Sequence, residues 1–167
     1  MRKSYCLMGL SLLFSLFIYL FYRTEKTVIN ELSIQILSIH TYAAWRQAVT
    51  DLLPLSKPII FSLPEGLWVF CITLTSKHFY IQLKNRQLPC VFFPLIFSIG
   101  LEVFQLLQWT KGRFDFLDIW VSVLFWTVAR YGFADTASRQ NIVTPLTNKS
   151  LLCFSSYAIV YLAHVLE

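Results

Sequence analysis

Residues 88–118 read LPCVFFPLIFSIGLEVFQLLQWTKGRFDFLD. From Leu88 to Trp109 the only charge is Glu102, and a helix needs roughly 20 predominantly apolar residues to cross a hydrocarbon core of about 30 Å. Thr110-Lys111-Gly112-Arg113-Phe114 then reads as a tight turn. Lys111 suits a helix C-terminus, and Gly112 can take the left-handed conformation that closes one. Asp115 opens the next apolar run. The stretch therefore predicts two antiparallel membrane spans joined by a short outer turn.

The rest of the chain follows the same pattern. Of 167 residues, 56% are hydrophobic and 14% charged, against about 45–50% and about 25% in soluble domains. The apolar residues are gathered in blocks, which predicts an all-α, polytopic transmembrane helical bundle in a single membrane domain over 1–167. Five spans are expected, at about 4–22, 63–83, 88–109, 115–134 and 150–166, the last being short. Arg2 and Lys3 precede the first span, and the flank Arg23-Thr24-Glu25-Lys26 holds no small-residue cleavage site. An uncleaved anchor with a cytoplasmic N-terminus is the expectation. On that orientation the inner side carries Arg2, Lys3, Lys77, Lys84, Arg86, Arg130, Arg139 and Lys149, eight cations against six outside, in the sense of the positive-inside rule.

Residues 24–62 form the extracytoplasmic segment. Leu32, Ile34 and Ile36 alternate with polar residues, while Tyr42, Trp45, Val49 and Leu52 recur at helical spacing opposite Arg46, Gln47 and Thr50. That stripe predicts an amphipathic helix in the headgroup region, capped by Thr41 and ended by Pro54. Ser62-Leu63-Pro64-Glu65 has the form of a capping box, so Glu65 is expected to cap the second span.

The net charge of +5 lacks the basic stripe interleaved with aromatics that a nucleic-acid partner requires. Lys77 and Arg130 are expected to snorkel to the inner surface. Cys6, Cys71, Cys90 and Cys153 fall in apolar blocks with no paired spacing, which predicts packing roles. No HExxH helix, nucleophile elbow or Gly-rich phosphate loop occurs, so neither a metal nor a cofactor is expected and no catalytic residue is assigned.

Polar residues at span ends have structural explanations: Asp115 and Asp118 are placed to accept from free amides at the start of the fourth span. Glu102 has none. It lies seven residues before Trp109, roughly 10 Å below the interface at 1.5 Å rise per residue. A carboxylate at such depth costs on the order of 2.5–3.5 kcal/mol and normally faces the bundle interior. Gln105 shares its face, and the return of the chain brings Ser122 to its depth. The expected site is one outward-facing pocket lined by Glu102, Gln105, Arg113, Asp115, Asp118 and Ser122, with Arg113 as its cation. A purely structural interhelical network is the competing reading.

The string Glu102-x-x-Gln105, then Gly112-Arg113-Phe114-Asp115-x-x-Asp118, resembles the signature of the VanZ-like family of small bacterial membrane proteins. The likeness is close over the 17 residues from Glu102 to Asp118 and extends to the multi-span layout. Where Ser122 stands the family usually has asparagine, and where Phe125 stands, glycine. Pro64-Glu65-Gly66-Leu67-Trp68 replaces the family's aspartate-lysine-histidine pattern before the second span. The resemblance implies a bacterial inner-membrane location and a cell-envelope role, with antibiotic (glycopeptide) resistance as the activity tied to the founding member. Three functions follow as expectations: binding of a lipid headgroup or amphiphilic ligand among membrane lipids, an enzyme acting on a lipid-linked substrate, or a small proton-coupled transporter.

Overall fold

The computed structural model describes residues 2–23, 28–109, 113–133, 139–143 and 145–165. Helices α1 (Arg2–Phe21), α2 (Val28–Leu37), α3 (Ile39–Leu52), α4 (Lys57–Phe61) and α5 (Leu63–Ser76) come first. Strands β1 (Phe79–Leu83) and β2 (Arg86–Pro89) follow, then a 3-10 turn (Cys90–Phe92) and helices α6 (Phe93–Leu106) and α7 (Phe116–Tyr131). Strand β3 (Gln140–Asn141) and helix α8 (Asn148–Val165) complete the order. The expected turn residues Thr110, Lys111 and Gly112, and the flank from Thr24 to Lys26, lie outside the described residues.

The chain is mostly helical, as expected, but not all-α. The span expected over 63–83 stops as a helix at Ser76, and Phe79–Leu83 is a strand. Phe79, Tyr80 and Ile81 are aromatic and β-branched residues that suit a pleated surface, and a continuous apolar run does not by itself separate helix from strand. Strand β1 pairs antiparallel with β2 from Tyr80↔Pro89 to Leu83↔Arg86 and parallel with β3, giving the order β2-β1-β3. Lys84, at φ 51°, makes the two-residue turn between the first pair, since such turns need positive φ to match strand twist. The run expected as a span over 88–109 accordingly becomes helical only after Pro89, with Pro94 in the first turn of α6, where its missing amide costs nothing.

Helix α5 is the axis of the molecule. It packs against α1, α4, α6, α7 and α8, and every residue from Trp68 to Ser76 is buried, as befits a helix apolar on all sides. Its closest partner is α7. A Cβ on Gly66 would lie 2.5 Å from Phe125 Cδ2 and 2.6 Å from Val121 Cγ1, so only glycine lets the two helices approach this far. Toward the sheet end, Thr75 and Ser76 tie α5 to α8 through Ser156 at 3.2 Å and Tyr157 at 3.1 Å. The surrounding helices turn large apolar side chains outward, among them Leu10, Leu13, Ile96, Trp120, Leu124 and Leu151. Among the described residues one helix, Lys57–Ser76, is long and apolar enough to cross a membrane, and two shorter apolar helices cover Cys6–Phe21 and Cys90–Leu106.

The segment between α1 and α5 is anchored to the end of α1. Arg46 donates from Nε to the Phe21 carbonyl at 3.0 Å and from its terminal nitrogen to the Tyr22 carbonyl at 3.4 Å. Tyr42 donates to the Leu20 carbonyl at 2.5 Å, and Tyr22 to the Leu53 carbonyl at 2.6 Å. These donors meet carbonyls left over at a helix C-terminus. The expected stripe on α3 is thereby divided: Tyr42 is buried against α1, while Trp45 and Leu52 are exposed. The residue before α3 is Ser38, at φ 66°, with its hydroxyl 3.1 Å from that of Thr41, which is inside the helix and does not cap it.

Candidate functional site

Three helices bring polar groups together beside the Gly66 contact. Ser98 on α6 donates to Glu65 Oε1 on α5 at 2.8 Å, and the Ser98 and Ser122 hydroxyls are hydrogen-bonded to each other at 2.8 Å. Ser122 is also 3.4 Å from Glu65 Oε1. Glu65 does not cap α5. Helix α4 runs almost directly into α5, with the Ser62 amide bonded to the Pro58 carbonyl and the Gly66 amide to the Ser62 carbonyl. A junction of this kind leaves few free amides to cap, and Ser62 makes no side-chain cap bond. The carboxylate is released to face the other helices.

Glu102 on α6 is 2% exposed, and its Oε2 accepts from the Asp115 amide at 3.1 Å. Asp115 is the cap of α7 that the sequence indicates, its Oδ1 accepting from the Leu117 amide at 2.9 Å. Asp118 is not a second cap. It is half-buried, and its carboxylate faces the Ser62 hydroxyl. Carboxylate oxygens of Glu65, Glu102 and Asp118 all lie within 4.8 Å of one another. Ser62 completes the group: it is 1% exposed, and its hydroxyl is turned to the Asp118 carboxylate, the acceptor beside it.

Of the six residues expected from sequence, Glu102, Asp115, Asp118 and Ser122 come together. Gln105 is half-buried, its carbonyl accepting from the Gln108 amide at 3.0 Å, and its side chain makes no hydrogen bond among the described residues. Arg113 is not the pocket's cation. It is exposed, and among the described residues no ion pair joins it to a carboxylate. The cation in electrostatic range of Asp118 is Arg23, at the end of α1. Its guanidinium lies 4.7 Å from the Tyr19 ring centroid and 5.5 Å from that of Phe61, and donates to the Phe61 carbonyl at 3.3 Å.

Glu65, Ser98, Ser62 and Arg23 escaped the sequence reading. Ser62 and Glu65 were visible, but the capping-box pattern supplied a sufficient local explanation; Ser98 carries no signal in a single sequence. At the opposite end of the bundle the Arg130 guanidinium rests 4.6 Å from the Phe92 ring centroid and 5.1 Å from those of Trp126 and Tyr131. Lys77 donates to the Phe133 carbonyl at 3.1 Å near the end of α7. The four cysteines are free thiols, and Cys71, Cys90 and Cys153 are buried packing residues.

Chemically, the site is a carboxylate cluster at the junction of α4, α5, α6 and α7, with hydroxyls on its inner side and Asp115 at its mouth. It offers hard oxygen ligands and hydrogen-bond acceptors, and no nucleophile paired with a base. Comparison with known proteins finds no family model, no curated protein and no solved structure that matches this chain.

Proposed function

We propose that this chain is a multi-span membrane protein of the VanZ-like kind, in the bacterial inner membrane, whose polar pocket opens outward and binds the headgroup of a lipid or amphiphile. The observation that carries the reading is the burial of Glu102 in a cluster with Glu65 and Asp118, oxygens within 4.8 Å of one another. Three ionisable groups drawn together beneath a surface are costly to fold, and such groups in apolar bundles mark binding or transport sites. The apolar side chains that the outer helices turn outward support lipid around the bundle. Trp109, Phe116 and Trp120 are exposed beside the pocket mouth, where aromatic rings suit the membrane interface. The motif from Glu102 to Asp118 supports a cell-envelope role and glycopeptide resistance as the process to examine first.

Five spans are part of the proposal. Helices α1, α6, α7 and α8 would cross as partners of α5, with the short α6 extended by the 3-10 turn before it. Helix α3 would lie in the outer headgroup layer with Trp45 and Leu52 toward lipid.

The test is retention of co-purifying lipid or added amphiphile by Glu102→Gln. A neutral isostere removes a buried charge, so the variant is expected to insert normally and unfold at the same temperature or slightly higher. Bound amphiphile should be lost, whereas Asp115→Asn should keep most of it and cost about 1 kcal/mol as a weakened cap. A Glu102→Gln protein that is fully stable and retains its amphiphile contradicts the proposal; one that unfolds makes the cluster interhelical glue.

A further inference from the structure

The geometry points to Arg130 as the binding site for the phosphate of an anionic phospholipid, in the leaflet that meets the sheet end of the bundle. An arginine at a span end would ordinarily extend its stem until the charged head finds water. This one is held in place. Its guanidinium lies 4.6 Å from the ring centroid of Phe92, in the 3-10 turn before α6, and 5.1 Å from those of Trp126 and Tyr131 on α7. The rings are themselves fixed. The Trp126 indole donates to the Val91 carbonyl at 2.7 Å, and its ring packs 5.7 Å from Phe92 and 6.4 Å from Tyr131, centroid to centroid. Aromatic neighbours stabilise a guanidinium without using its N–H groups, which stay available as a bidentate fork for an oxyanion. Among the described residues the half-buried Arg130 guanidinium makes no hydrogen bond and no ion pair.

The surroundings name the occupant. Lys77, Lys84, Arg86, Arg139 and Lys149 share this end with Arg130. Among the described residues, every acid lies on α2, on α3, or in or beside the carboxylate cluster at the other end. Such a surface attracts anionic headgroups and disfavours the ammonium of a zwitterionic one. Beneath the guanidinium there is apolar wall: Phe92 and Ile96, four residues apart along the turn and α6, are exposed, as are Leu124 and Val128 on α7. An acyl chain needs that wall, whereas inorganic phosphate does not. Trp126 and Tyr131 are of the types that settle at headgroup level. The inference rests on the bilayer setting proposed above, but not on the carboxylate pocket, which lies at the opposite end.

The full-length protein in dodecyl maltoside is titrated with dioleoylphosphatidylglycerol or dioleoylphosphatidylcholine, with and without inorganic phosphate as competitor, and bound lipid is followed by native mass spectrometry. Phosphatidylglycerol is expected to bind at least about tenfold more tightly than phosphatidylcholine, and inorganic phosphate at equal concentration should not displace it. Arg130→Gln should weaken phosphatidylglycerol about tenfold, the loss expected when a charge-assisted pair is removed. Arg130→Lys should weaken it less, because lysine keeps the charge without the fork; its stem still covers the rings, so it carries the test if the glutamine variant does not fold. Glu102→Gln should bind phosphatidylglycerol as the parent does. Equal affinity for the two lipids overturns the site, as does parent-like affinity in the folded Arg130 variants. Displacement by inorganic phosphate leaves an anion site and overturns the lipid. Loss of phosphatidylglycerol in Glu102→Gln with full binding in the Arg130 variants places the lipid in the outer pocket, which overturns this site and upholds the headgroup reading. Loss in the Arg130 variants, together with full amphiphile retention by Glu102→Gln, upholds this site and removes the headgroup reading.

Discussion

At the scale of single residues, Gly66 shows how the site depends on packing. Its missing side chain lets α7 press Val121 and Phe125 against α5, and this approach brings Ser122, one residue after Val121, up to Glu65 and Ser98. Where the VanZ-like pattern has its glycine, this chain has Phe125; the small residue here lies across the contact, on the other helix. Gly66→Ala should therefore overpack the pair and cost about 1–3 kcal/mol, read as a lower thermal midpoint in detergent. Adding Phe125→Ala makes room for the new methyl and should recover part of the loss. A Gly66→Ala protein as stable as the parent would mean that the contact is loose. Polar residues behaved differently in the sequence reading. Glu102 was legible because no helix end explains a lone carboxylate in the apolar run from Leu88 to Trp109, and Asp115 because a cap has a fixed position. Glu65 was not, because a capping-box pattern is local and the continuity of α4 with α5 is not.

Among the elements, α3 gives the clearest contrast between pattern and packing. Its helical spacing was readable, and Ile39–Leu52 covers the expected residues. Which side of it meets which neighbour was not readable, because Tyr42 and Arg46 find their partners on the carbonyls of α1, far away in sequence. Burial raises the Tyr42 phenol above its ordinary pKa, with the Arg46 charge opposing, so this hydroxyl stays a donor across the physiological range. Arg46→Ala removes a charge-assisted cap from the end of α1 and should cost about 1–2 kcal/mol. Gln47→Ala, on the exposed side of the same helix, serves as the control and should be neutral; equal thermal midpoints for the two variants would deny α3 its anchoring part. The strands were missed for a related reason. Phe79 to Leu83 follows the apolar run of α5 after only Ser76, Lys77 and His78, and pairing with Arg86–Pro89 and Gln140–Asn141 makes it a sheet.

Across the whole molecule, the charge and polarity of the two ends differ. One end holds the sheet, Lys77, Lys84, Arg86 and the aromatic-stacked Arg130; the other holds Arg23, the carboxylate cluster and α3. Blocks of apolar residues and the cations at their ends made this polarity legible from sequence, while the central place of α5 emerges only from packing, since its composition differs little from that of its neighbours. The proposed setting of this bundle is a bilayer, with the carboxylate pocket opening to the outside. Thiol labelling with a membrane-impermeant maleimide tests it, using the variants Arg113→Cys beside the pocket mouth and Lys84→Cys in the β1–β2 turn, in a background where the exposed Cys6 is replaced by serine and the buried Cys71, Cys90 and Cys153 are kept. Arg113→Cys is expected to react in intact spheroplasts and Lys84→Cys only after permeabilisation. Labelling of Lys84→Cys in intact spheroplasts with protection of Arg113→Cys would invert the pocket, and recovery of the protein in the soluble fraction would contradict the bilayer itself.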